Sequence, residues 1–145
     1  MLIAIDPGAH GAIVYDDDEG RVQALPMPDS PAGIRDALLE IKGRNATAIM
    51  EQVSAYIPGN GGKGVATFGE HLGCLKGILL CFDIPREDVL PAKWQRETFG
   101  ALPKDKAERK RKIRDVMAAR YPHIKVTLAN ADALGIYTWA KRRGA

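Results

Sequence analysis

The sequence predicts an α/β fold, a mixed five-stranded sheet that starts with three antiparallel strands and is flanked by helices. Three short apolar segments separated by turns open the chain, and the later apolar segments alternate with helical patterns. No Pro/Gly/Ser-rich linker is long enough to divide the 145 residues, of which 46% are hydrophobic and 27% charged. That length and balance are typical of one compact domain, which we place over residues 1–145.

Four strands and one helix are predicted in the first part of the chain. The segment Met1–Ile5 is apolar almost throughout, which is typical of a central strand covered on both faces. Turn residues separate it from the next two strands, so the chain opens as an antiparallel meander. Ser30 supplies an N-cap, and Pro31 stands at the first position of a helix with apolar residues at i, i+3, i+4 and i+7. These elements are the strands Met1–Ile5, Ala12–Tyr15, Arg21–Leu25 and Ala46–Met50 and the helix Pro31–Lys42.

The rest of the chain is predicted to be mainly helical. A glycine-rich loop, Pro58–Gly64, opens a long apolar helix, a brief strand follows, and Asn130 is the predicted N-cap of the last helix. Right-handed crossovers then place the fourth strand beside the first and parallel to it. These elements are the helices Val65–Cys81, Pro91–Phe99, Asp105–Tyr121 and Ala131–Arg142 and the strand Asp88–Leu90.

Three acidic residues stand where this fold would bring them together. Asp6 and Glu51 each end an apolar strand, and in parallel neighbours both project at the carboxyl ends of the sheet, where open α/β folds build their sites. Taken singly, Asp6 would equally suit a turn cap, and Glu51 an ion pair with an arginine. Asp132 lies in the first turn of the last helix, among small residues that allow close packing on the sheet. Three carboxylates suit Mg²⁺ or Mn²⁺, which take oxygen ligands and activate water in phosphodiester cleavage.

The charge is divided between the two halves of the chain. Residues 1–72 carry five Lys/Arg and ten Asp/Glu, whereas residues 73–145 carry sixteen and eight. From Lys104 to Arg114 there are seven basic residues and two acidic ones. Such a run is often a plain exposed face, but beside a carboxylate site it favours a track for phosphates.

Other classes of protein are disfavoured. The longest apolar stretch, Gly77 to Phe82, is far too short to span a bilayer, and the start does not have the pattern of a signal peptide. Cys74 and Cys81 lie roughly 10 Å apart along one predicted helix, too far for a disulfide. We expect a cytoplasmic protein with buried, inert thiols and no membrane partner.

Three short motifs resemble the signatures of the RuvC family of Holliday junction resolvases. They are Ile5-Asp6-Pro7-Gly8-x-x-Gly11, Met50-Glu51-Gln52-Val53 and Ala131-Asp132-Ala133-Leu134. The chain between them is similar to the shorter phage and prophage members, which share features with the chloroplast resolvase: Phe68-Gly69, Pro91-x-x-Trp94 and Lys104-Asp105-Lys106.

This resemblance implies an RNase H-like fold and a homodimer that nicks both sides of a four-way DNA junction with Mg²⁺. Carried over by position, Asp6, Glu51 and Asp132 become the metal ligands. The family usually has another Asp or a His shortly before the last carboxylate, where this chain has Leu128 and Ala129. Asn130 is the nearest polar side chain, either as a metal ligand or as a helix N-cap.

The same resemblance suggests the DNA contacts. Lys93 and Lys106 match basic positions near the scissile phosphate, and Arg109 and Lys110 follow on the basic helix. Tyr56 either stacks on an unpaired base or packs on its own loop.

Two further features have open interpretations. Trp94 suits core packing better than DNA contact. Gly69, Gly73 and Gly77 form a small-residue stripe on the second helix, which suits either a partner subunit or packing within the chain.

Together these features predict a Mg²⁺-dependent, structure-selective endonuclease for branched DNA. The alternative is a branched-DNA-binding protein of the same fold with weak or lost catalysis. A nucleotide-binding ATPase-like domain would need a second phosphate loop and a second domain, for which the chain has no room.

Overall fold

The computed structural model describes residues 1–43, 45–54 and 62–145, which form five strands and five helices. The strands are β1 (Leu2–Asp6), β2 (Ala12–Asp16), β3 (Val22–Pro26), β4 (Thr47–Glu51) and β5 (Arg86–Val89). The helices are α1 (Pro31–Ile41), α2 (Lys63–Cys81), α3 (Pro91–Phe99), α4 (Lys106–Arg120) and α5 (Ala131–Arg142).

The strands form one mixed sheet in the order β3-β2-β1-β4-β5. The first three are antiparallel neighbours, and β1, β4 and β5 run parallel, so the predicted α/β sheet is confirmed. In the pairing of β1 with β4, Ile5 lies opposite Met50. The next residue of each strand is a carboxylate, Asp6 or Glu51, and both therefore lie at the same edge.

Each face of the sheet is covered by helices. Leu2 and Ala4 of β1 pack into a core with α3, α4 and α5, whereas Ile3 and Ile5 pack against α1 and α2. This two-sided burial explains why β1 has no polar residue before Asp6. No helix in the described part of the chain is both long and apolar enough to cross a membrane.

The helix caps follow the predictions in part. Ser30 Oγ accepts a hydrogen bond from the Gly33 amide at 3.0 Å, so it caps α1 as predicted. Asn130 stands at the N-cap position of α5, but its side chain does not cap the helix. Its φ of −101° and ψ of −8° are helical rather than extended, and its amide turns back, accepting from the Thr127 amide and donating to the Lys125 carbonyl.

Three further local predictions were wrong. Helix α2 begins at Lys63, two residues before the predicted Val65, so the end of the predicted loop Pro58–Gly64 is helical, and residues 58–61 of that loop lie outside the described part of the chain. Strand β5 begins two residues earlier than expected, because it is an edge strand in which only Val89 is buried and its polar residues concealed it from an apolar pattern. Cys81 is exposed and Cys74 only half-buried, although both thiols were expected in the core. Helix α2 buries the face that carries Leu72, Leu75 and Leu79, and Cys81 points away from it.

Candidate active site

Three carboxylates line a single cleft of about 470 Å³ at the carboxyl ends of β1 and β4. Asp6 ends β1, Glu51 ends β4, and Asp132 is the second residue of α5. Helix α5 packs directly on β1 and β4, with the small Ala131 and Ala133 buried at its start. The convergence of residues 6, 51 and 132 that the sequence predicted is therefore present.

The turn after Asp6 has a narrowly defined backbone. Gly8 adopts a positive φ of 118°, and its carbonyl accepts from the Gly11 amide at 3.0 Å. A β-carbon at Gly11 would lie 1.9 Å from the Asp6 carbonyl oxygen, so only glycine fits there. The Gly8 amide donates to Nε2 of His71 on α2 at 2.8 Å, so His71 holds the backbone of this turn. Burial lowers the pKa of His71 and thus favours the neutral ring that this acceptor role requires.

Glu51 is held by a tryptophan. Its side chain is buried, and Oε2 accepts a hydrogen bond of 2.7 Å from Nε1 of Trp94 on α3. Trp94 is completely buried, so the prediction of core packing is confirmed. The bond to Glu51 was not predicted. A buried indole N–H needs an acceptor, and that requirement was the available signal.

The electrostatics of the cleft disfavour three bare negative charges. Burial, reinforced by Glu51 and Asp132, raises the pKa of Asp6 to about 8. Burial also raises the pKa of Glu51 to about 7, against the opposing effect of the Trp94 hydrogen bond. The pKa of Asp132 is raised by burial and lowered in part by nearby cations of α4. A bound cation would relieve this repulsion.

Those cations form a basic wall on the same cleft. Lys106, Arg109 and Lys110 are spaced i, i+3 and i+4 on α4, so they share one helix face, and all three line the cleft. Lys110 Nζ lies 3.9 Å from Oδ2 of Asp132. Arg109 donates to the Lys104 carbonyl at 3.0 Å, which anchors its guanidinium near the start of the helix. A polyanion entering the cleft would meet positive charge beside the carboxylates.

Two further polar residues line the cleft. His10 lies in the turn after Asp6, and Gln95 follows Trp94 on α3. The sequence did not point to Gln95, because a lone glutamine carries no motif. Its place on the cleft follows only from the packing of α3.

The donor set suits a hard divalent cation in its chemistry, because it consists of three carboxylates in a partly buried cleft. Within residues 1–43, 45–54 and 62–145, however, no three His, Cys, Asp or Glu side chains are arranged as a ready-made metal site. Trp94 engages Glu51, and Lys110 lies near Asp132. The three side chains are therefore of the type that a hard divalent cation prefers, and they lie in one cleft. Metal binding would have to bring their oxygens together.

The remaining predicted site residues do not line the cleft or lie outside the described residues. Lys93 is not among the residues that line the cleft; its Nζ lies 5.7 Å from the ring centroid of Trp139. Tyr56 falls outside the described residues. Leu128 is about half exposed, and neither it nor Ala129 lines the cleft. Asn130 does not line it either, and since its amide is bonded to backbone groups, the structure supports neither the ligand role nor the side-chain cap.

The comparisons with known proteins rest on structure. No protein-family model matches the sequence, and no curated protein matches it. The structure of Thermus thermophilus RuvC matches with a TM-score of 0.60 at 17% identity, covering 99% of this chain and 96% of that chain. T. thermophilus RuvC in complex with Holliday junction substrate matches with a TM-score of 0.59 at 14% identity and the same coverage.

The mixed sheet and its flanking helices form an α/β protein with an RNase H-like fold. This fold is similar to that of T. thermophilus RuvC over nearly the whole length of both chains. The resemblance found in the sequence motifs is thus confirmed at the level of fold. The similarity to phage, prophage and chloroplast members stays a prediction.

Proposed function

We propose that the protein is a Mg²⁺-dependent, structure-selective endonuclease that resolves Holliday junctions and other branched DNA by paired nicks as a homodimer. One observation carries the proposal: the carboxylates of Asp6, Glu51 and Asp132 share a cleft with the cations of α4. A RuvC-like fold bound to a Holliday junction substrate in one matching structure supports it. A cytoplasmic role in phage or prophage replication and packaging, suggested by the sequence, belongs to the same proposal.

Asp6, Glu51 and Asp132 would hold the metal ion, with Mn²⁺ as a substitute for Mg²⁺. Bound there, the ion would supply positive charge for the phosphodiester oxygens and make water easier to deprotonate. The protein contributes the placement of the carboxylates. The glycine turn fixes Asp6, Trp94 holds Glu51, and the packing of α5 on β1 positions Asp132.

The basic wall of α4 would bind the DNA backbone. Lys106, Arg109 and Lys110 face the cleft, so phosphates that they contact would lie beside the carboxylates. Phosphate contacts position the duplex and carry no sequence information, which suits an enzyme selective for structure. Lys93 and Tyr56 belong to this proposal as further DNA contacts. Lys93 does not line the cleft, and Tyr56 lies outside the described residues.

Helix α2 supports the homodimer. Among the described residues, a β-carbon at Gly73 or Gly77 would meet no atom within 4 Å, so packing within that part of the chain does not account for these two glycines. Leu80, one turn further along, is 77% exposed. An open small-residue face beside an exposed leucine suits close approach of a second helix, and a second copy of the chain would place two clefts on one junction.

The direct test is cleavage of a synthetic four-way junction. The wild-type protein should nick it in Mg²⁺, and Asp6→Asn should lose activity while keeping junction binding in a gel shift. Nicking by Asp6→Asn at the wild-type rate would refute the proposal.

A second candidate is a branched-DNA-binding protein with weak or lost catalysis. It is favoured by Leu128 and Ala129, which stand where a further metal ligand is expected from the resemblance. Titrating Mg²⁺ and Mn²⁺ while following both nicking and gel shift separates the two. A pure binder shifts the junction at every metal concentration and never cuts it.

A further inference from the structure

Two tryptophans donate their indole N–H to glutamates over the same distance. Trp94 Nε1 donates to Glu51 Oε2 at 2.7 Å, and Trp139 Nε1 donates to Glu97 Oε2 at 2.7 Å. Both rings are buried, at 0% and 3% exposure. Only the first pair reaches the cleft, because neither Trp139 nor Glu97 lines it.

Trp94 also determines how closely α5 can pack against α3. A β-carbon at Gly135 would lie 2.5 Å from Cζ3 of the Trp94 ring, so the ring occupies the space beside the helix. Gly135 lies three residues after Asp132, on the same side of α5. One indole therefore contacts Glu51 through its N–H and the helix of Asp132 through its ring edge.

We propose, resting on the function proposed above, that Trp94 is a positioning residue for the metal site. Its N–H restrains the Glu51 carboxylate through Oε2, and its ring sets the separation between Glu51 and the start of α5, so that Glu51 and Asp132 stay within reach of one divalent cation. The completely buried side chain is not accessible to DNA, so it acts through Glu51 and α5 alone. Hydrogen-bond partners of metal ligands fix ligand orientation, and their removal typically costs about 10- to 100-fold in metal affinity or activity.

The test compares Trp94→Phe with Trp139→Phe in the full chain. Each variant keeps an aromatic ring and loses one indole-to-carboxylate bond of 2.7 Å. Mn²⁺ binding to the protein alone is measured by calorimetry or electron paramagnetic resonance. We expect at least about 10-fold weaker Mn²⁺ binding for Trp94→Phe and less than about twofold change for Trp139→Phe. Gel-shift affinity for the junction without divalent metal should be unchanged in both.

A second substitution distinguishes loss of the hydrogen bond from loss of packing. Replacing Trp94 by 3-benzothienylalanine puts sulfur in place of the N–H and keeps the ring size against Gly135. The proposal requires this isostere also to bind Mn²⁺ at least about 10-fold more weakly than the wild type. Wild-type Mn²⁺ affinity in the isostere, or equal affinity in the two phenylalanine variants, would overturn it.

Failure of the proposed function looks different. A wild-type protein that binds Mn²⁺ and leaves the junction uncut contradicts nuclease activity but not the role of Trp94, which the affinity comparison still decides. A wild-type protein that binds no Mn²⁺ overturns both.

Discussion

Gly135 and Trp94 fit together so closely that the glycine has no permissible replacement without movement of the ring or the helix. The hypothetical β-carbon would lie 2.5 Å from Cζ3 and 3.2 Å from Cη2 of the indole. Since Trp94 bonds Glu51, any movement of the ring would also be transmitted to a cleft carboxylate.

Gly135→Ala should therefore destabilise the protein although alanine favours helices. Overpacking in a core costs about 1–3 kcal/mol, more than the roughly 1 kcal/mol gained from helix propensity. Urea unfolding measures the change. Gly64→Ala, at a position in α2 where a β-carbon meets no atom of the described residues within 4 Å, is the control and should not destabilise the protein. Equal stability of Gly135→Ala and the wild type would contradict the tight fit.

The stability of the metal-free protein should depend on pH in the way expected for a raised pKa of the Asp6 carboxyl. Its pKa is 3.8 ordinarily and about 8 when folded, so between these values the folded state holds a proton that the unfolded state lacks. Stability should therefore fall as pH rises from about 4 to about 8 and level off above. His71 contributes the opposite slope below its ordinary pKa of 6.5, because its folded pKa is lowered.

Comparison with Asp6→Asn separates this contribution from those of Glu51, Asp132 and His71, because both proteins contain these three groups. The melting-temperature difference between Asp6→Asn and the wild type should grow in favour of the variant as pH rises towards 8. A difference that is constant from pH 5 to pH 8.5 would show that Asp6 has an ordinary pKa of about 4.

Neutralising the basic wall should weaken junction binding in a salt-dependent way. Lys106→Ala, Arg109→Ala and Lys110→Ala should each reduce the slope of log affinity against log salt concentration by about 1, as expected for one lost phosphate contact. Lys112→Ala is the matched control, because Lys112 is exposed on the same helix and does not line the cleft. A larger loss for Lys112→Ala than for Lys110→Ala would place the DNA on another face.

Gly77→Arg should give a folded monomer if α2 forms the subunit interface. A β-carbon at this position meets no atom of the described residues within 4 Å, so we expect the subunit to accommodate the arginine, which would block close approach of a second helix. Sedimentation velocity should find the wild type as a dimer and the variant as a monomer with unchanged circular dichroism. Ala118→Arg, on the exposed face of α4, should stay dimeric.

The parts of the site that depend on strand ends were predictable from sequence. Asp6 and Glu51 follow apolar strands, and the handedness of the crossover places β4 beside β1. Asp132 was placed by its small neighbours, which allow close packing, and by the family motif. Helices α3 and α5 were predicted with the bounds observed, because a proline starts the first and a polar cap position precedes the second.

Contacts between side chains on different secondary-structure elements were not predictable. The Trp94 bond to Glu51 depends on how α3 lies against the sheet, and the position of Lys93 over Trp139 depends on how α3 lies against α5. Nothing in the local sequence fixes either relationship. The side chain of Asn130 failed as a cap for a different, local reason, since the backbone groups of Lys125 and Thr127 in the preceding loop bond its amide.

Helix α2 has two duties that the sequence alone would assign to separate parts of the molecule. His71 receives the Gly8 amide behind Asp6, and the open glycine face at Gly77 lies only about 9 Å further along the same rigid rod. If α2 slid or tilted, the hydrogen bond from Gly8 to His71 would carry the movement to the backbone that follows Asp6. A partner that binds the glycine face and shifts α2 would therefore also shift the backbone next to Asp6, the first carboxylate of the cleft.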